Sequence, residues 1–102
     1  MHPLVQSKKL EIARLCRRRG VARLEIFGSA ARDDFDPARS DLDFLVEFAG
    51  DAPGTALQSF FGLKENLETL FGRAVDLVED GAIRNSYVLV TIDRDRQIVY
   101  AS

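Results

Sequence analysis

The chain has 102 residues, of which 46% are apolar and 29% charged, with sixteen acidic residues against fourteen basic and a net charge of −2. Such a composition fits one globular unit with a modest core, and excludes a disordered, fibrous or overall basic nucleic-acid-binding chain. A single cysteine, Cys16, excludes an internal disulfide and a multi-cysteine zinc centre, and the sole histidine, His2, sits at the terminus. No apolar run approaches the ~20 residues of a bilayer span, and no apolar stretch follows a basic start as in a signal peptide. The expectation is a single domain over residues 1–102, soluble and cytoplasmic, with no membrane contact and no direct nucleic-acid contact.

Pro3 suits the first turn of a helix whose apolar Val5, Ile12 and Cys16 share one face, with Leu4 and Leu15 beside it. Arg17, Arg18 and Arg19 followed by Gly20 read as its C-terminus. The same arginine run also suits a patch for an acidic partner or RNA. Val21 to Phe27 reads as a strand running into Gly28-Ser29, and Leu42 to Phe48 as a second strand after a polar stretch. From about Thr55 to Phe71 the period is helical. Leu57, Phe60, Phe61, Leu67 and Phe71 make one stripe, widened by Leu63 and Leu70. That arc is wider than a small sheet requires, so it reads as a core helix or as one with Leu63 or Leu70 turned to a partner. Ala74 to Val78 is a third short strand. The last segment is ambiguous: Tyr87 to Ile92 and Gln97 to Tyr100 suggest a hairpin by propensity, with a helix over residues 85–94 before a short strand as the rival.

The chemistry concentrates in Phe27-Gly28-Ser29-Ala30-Ala31-Arg32 and Ser40-Asp41-Leu42-Asp43-Phe44-Leu45-Val46. Alternation along a strand aims Asp41 and Asp43 to one face, and Leu42 and Phe44 to the other. Two carboxylates so placed repel unless a cation sits between them, and hard oxygen ligands select magnesium or manganese. Asp76 stands among apolar neighbours in Val75-Asp76-Leu77-Val78, where a buried acid must be paired or metal-bound. Were its strand beside that of Asp41 and Asp43, three carboxylates would converge to hold two ions ~3.5–4 Å apart. Such a pair activates an attacking hydroxyl and stabilises a leaving pyrophosphate. Gly28 permits close approach of backbone to phosphate, Ser29 offers a hydroxyl donor, and Arg32 adds charge for the same phosphates. Each feature alone has a plainer reading as a turn, a loop–strand junction or a salt-bridged acid. Their order along the chain is the signal. The calcium-loop and Walker phosphate-loop patterns are both absent.

With Gly28-Ser29, Asp41-Leu42-Asp43 and Val75-Asp76-Leu77-Val78 in this order, the chain resembles the minimal nucleotidyltransferase (MNT) family of the DNA polymerase β-like superfamily, over nearly its whole length. The resemblance implies an α+β fold, a small mixed sheet with flanking helices. It also favours the helical alternative for residues 85–94. Asp41, Asp43 and Asp76 take the place of the family's catalytic, metal-binding carboxylates, and Gly28, Ser29 and Arg32 that of its nucleotide-binding turn. It implies magnesium, with manganese as the alternative, ATP as the donor nucleoside triphosphate, and a HEPN-family toxin as partner. The expected reaction is transfer of AMP to a tyrosine of that toxin, which makes the chain an antitoxin. A contact-only antitoxin without catalysis, and transfer to a small-molecule acceptor, are the alternatives.

Overall fold

A computed structural model describes residues 3–28, 42–50, 56–79 and 96–102. Two short helices open the chain, α1 (Pro3–Gln6) and α2 (Lys9–Arg19). Strands β1 (Val21–Phe27) and β2 (Leu42–Phe48) follow, then helix α3 (Ala56–Phe71), and strands β3 (Val75–Glu79) and β4 (Gln97–Ala101). The opening segment is two helices rather than the one expected. Ser7 and Lys8 form a turn between them, where the Ser7 hydroxyl donates to the Leu4 carbonyl at 3.0 Å and competes with the helical ladder. Val5, Ile12 and Cys16 nevertheless share one face, and all are fully buried. Helix α2 ends as its sequence indicates, with Gly20 left-handed at φ 72° and its N–H turned back to the carbonyls of Cys16 and Arg17.

The four strands form one mixed sheet in the order β3-β2-β1-β4. β1 is antiparallel to both β2 and β4, while β2 and β3 run parallel across the α3 crossover. Two extra residues bend the ladder, Ala22 opposite β2 and Val99 opposite β1. The expected sheet type is therefore observed, and Gln97 to Tyr100 is a strand. Residues 85–94, where hairpin and helix compete, lie outside the described residues.

One sheet face is wholly apolar. Leu24 and Ile26 of β1, Leu42, Phe44 and Val46 of β2, and Val75 and Leu77 of β3 pack there against Ile12 and Cys16 of α2 and Leu63, Leu67 and Phe71 of α3. Phe44 stacks on Phe71 with ring centroids 6.1 Å apart. The buried side of α3 differs from the predicted stripe. Leu63, Leu67 and Phe71 face the core, whereas Leu57 and Phe61 are exposed. Leu63 is thus a core residue and not a partner contact, and Leu70 is half-buried. Ser59, Leu63, Leu67 and Phe71, four residues apart, form the buried stripe, and Leu57 and Phe61 lie on the far side of the helix from it. No helix among the described residues is long and apolar enough to cross a membrane.

Candidate functional site

The opposite face of the sheet carries charged side chains around the buried Leu45 of β2. Register sets its geometry: Phe27 of β1 pairs with Asp43 of β2, and Asp43 pairs with Asp76 of β3. Parallel partners point to the same face of neighbouring strands about 4.8 Å apart, so the two carboxylates stand side by side. Leu42 and Phe44 turn into the core, which fixes Asp43 outward, and Val75 and Leu77 do the same for Asp76. Asp43 is half-buried and Asp76 is exposed. This corrects one expectation, because Asp76 is not a buried charge in need of a partner. Among the described residues it lies on an edge strand, where water solvates it, and its case as a ligand rests on register alone.

Gly28 closes the end of β1 beside Asp43. Its φ is 74°, a left-handed conformation that L side chains rarely adopt. A Cβ built there would lie 2.5 Å from Asp43 Oδ2. Only a glycine leaves the carboxylate in place while keeping backbone close to it. Ser29, Arg32 and Asp41, the other expected site residues, lie outside the described residues. Among the described residues no three potential ligands converge on one point. Asp43 and Asp76 supply hard oxygen donors of the kind that bind magnesium or manganese, with an open backbone turn at their side, so these residues fit the implied divalent ion.

A second charged group on this face escapes sequence reading. Glu25 is only 4% exposed, yet it lies two residues before Phe27 and so shares the face of Asp43. Arg23 Nε approaches its Oε1 at 3.1 Å, and Arg96 Nε its Oε2 at 2.9 Å. The Arg96 approach is close without being aligned, and acts as an ion pair rather than a directed hydrogen bond. Arg23 Nη2 reaches on to Glu47 Oε2 at 3.1 Å. A charge ladder thus runs from Glu47 of β2 through Arg23 and Glu25 of β1 to Arg96, just before β4, and neutralises Glu25. The available signal was Arg23 and Glu25 at i and i+2 in a strand, although Arg96 is distant in sequence. Cys16, by contrast, is no part of any site: burial pushes its thiol up to about 12, so it stays protonated and unreactive at neutral pH.

The chain belongs to the nucleotidyltransferase domain family, whose pattern matches residues 10–99. The fold and the family together define a nucleotidyltransferase of the minimal kind. A protein of Methanocaldococcus jannaschii, named as a candidate protein adenylyltransferase, is 43% identical over 75 residues, which is 74% of this chain and 72% of the relative. A solved candidate minimal nucleotidyltransferase is 32% identical and superposes with a TM-score of 0.73, covering 90% of this chain and 89% of its own. The same fold recurs at 17% identity and a TM-score of 0.65 in a complex of a tri-AMPylated Shewanella oneidensis HEPN toxin with an MNT antitoxin, over 96% of this chain and 73% of that one.

Proposed function

We propose that the chain transfers AMP from ATP to a tyrosine hydroxyl of a HEPN-type toxin and so acts as its antitoxin, with Asp41, Asp43 and Asp76 as catalytic and metal-binding residues. The observation that carries this reading is the pairing of Asp43 with Asp76 across β2 and β3, beside the left-handed Gly28. The family membership and the candidate adenylyltransferase among its relatives support the reaction class. The AMPylated toxin in a complex of the same fold supports the acceptor.

In this reaction the tyrosine oxygen attacks the α-phosphorus of ATP. The bond from that phosphorus to the bridging oxygen breaks, pyrophosphate leaves and the tyrosine proton passes to solvent. Bound magnesium, or manganese in its place, supplies charge neutralisation to the phosphates and acidifies the attacking hydroxyl. Asp41, Asp43 and Asp76 would hold that ion, Gly28 and Ser29 would admit the triphosphate, and Arg32 would pair with it.

The test is incubation with magnesium, labelled ATP and the HEPN protein that co-purifies from the native host. Label on a toxin tyrosine, lost in Asp43→Asn, is expected, with an added mass of one or more AMP units. A bound but unlabelled toxin would leave a contact-only antitoxin, and label on a small molecule would reassign the acceptor.

A further inference from the structure

The helix layer lies behind the sheet, away from Asp43 and Asp76, and carries a charged feature that nucleotide transfer does not use. Helix α2 bears Lys9, Arg14, Arg17, Arg18 and Arg19 against the single acid Glu11, in a chain whose net charge is −2. The structure divides its arginines by role. Arg19 is half-buried: its Nε donates to Asn66 Oδ1 at 2.9 Å, and its guanidinium lies over Gly62 of α3, where a Cβ would come within 2.5 Å of Nη1. Arg19 is therefore a staple between the two helices. Arg14, Arg17 and Arg18 are exposed, and none pairs with a carboxylate of the described residues. The negative pole of the helix accounts for cations in its last turn but not for Arg14. Like charges at i and i+4, as in Arg14 and Arg18, weaken an isolated helix.

Arg14, Leu15 and Arg18 form one wall of an open groove of about 300 Å³, and Asn66, Thr69 and Leu70 of α3 form the other. Leu15 and Leu70 are half-buried and give the groove an apolar floor, while Leu10, four residues before Arg14, is 75% exposed. We infer that this groove docks an acidic amphipathic helix of the protein on which the chain acts, with an apolar side chain on Leu15 and Leu70 and carboxylates against Arg14 and Arg18. The inference rests on the reading of the substrate as a protein. A nucleic-acid strand suits the groove less well, because its apolar Leu15 and Leu70 offer nothing to a phosphate and no aromatic ring lines it for base stacking. Docking on the back of the sheet leaves the acid-bearing face open to ATP and to the acceptor hydroxyl.

The probe is a fluorescent helix-forming peptide of roughly 18 residues, built from Ala, Leu and Glu with one leucine stripe flanked by glutamates. Anisotropy titration with the full chain should show saturable binding, weakened about tenfold or more in Arg14→Gln/Arg18→Gln and weakened further by salt. Both positions are exposed, and circular dichroism of the variant should match wild type. Absence of saturable peptide binding overturns the proposal. So does equal binding of a lysine-for-glutamate peptide. Tighter binding of a single-stranded RNA that the variant loses assigns the groove to a polyanion instead, and self-association lost in the variant assigns it to a second copy. Magnesium-dependent ATP binding by the same variant should equal wild type. Its absence from the wild-type chain, with peptide binding intact, would sink the catalytic reading and not the docking one.

Discussion

The two faces of the sheet are built from the same strands and obey opposite physics. Behind the sheet, Leu24, Ile26, Leu42, Phe44 and Val46 have no exposed surface at all, and the helices close over them. In front, the same strands present Arg23, Glu25, Asp43, Glu47 and Asp76 around the buried Leu45, with Arg96 just before β4. The apolar face stores the folding free energy, because burial of hydrocarbon is favourable and close packing adds to it. The charged face contributes little to stability, since much of it is in contact with water. Substitutions on the two faces should therefore separate stability from activity.

The largest effect is expected behind the sheet. Phe44→Ala removes a fully buried ring and its stack on Phe71, and should cost about 3–5 kcal/mol in denaturant-melt stability. Its Cys16 thiol, unreactive in the folded wild type, should then react with a thiol reagent as the core opens. In front of the sheet, Asp43→Asn should leave the melt within about 0.5 kcal/mol of wild type while transfer falls roughly a hundredfold or more, the scale of losing about 3 kcal/mol of charge stabilisation. A large drop in melting temperature for Asp43→Asn would break the division between the faces. Glu25→Gln tests the exception, a buried charge on the open face. It removes the buried carboxylate shared by two arginines that are each about one-third exposed, and should cost about 1–2 kcal/mol by thermal melt. The smallest effect belongs to Gly62→Ala. The added methyl favours the helix by about 1 kcal/mol but displaces the flexible end of Arg19 from Asn66, so a net change within about 0.5 kcal/mol is expected. A loss well beyond that would mean that the Arg19 staple matters more than one hydrogen bond.

Much of this division is legible in the sequence. Strict alternation in Leu42-Asp43-Phe44 assigns each residue to a face before any fold is known, because side chains in a strand alternate regardless of context. The boundaries of β1 and β2, and the Gly20 helix end, follow from local backbone preferences in the same way. Helix α3 shows the limit. Its apolar arc was visible, but which side of it turns to the sheet is set by packing, so Leu57 and Phe61 fell outside the core. Asp76 shows another. Its apolar neighbours suggested burial, and only its place on the edge strand β3 reveals it as exposed.

By itself, then, the sequence determined the local elements, the outward aim of Asp43 and the family motif, since periodicity and short-range sterics act within a few residues. The neighbourhood of Asp43 and Asp76, the ion pairs of Glu25 with Arg23 and Arg96, and the splitting of the arginine run into one staple and a groove were decided by tertiary structure. Each joins residues from separate strands or helices, or depends on what packs over them, and those relations are set by strand order and helix packing rather than by any local preference.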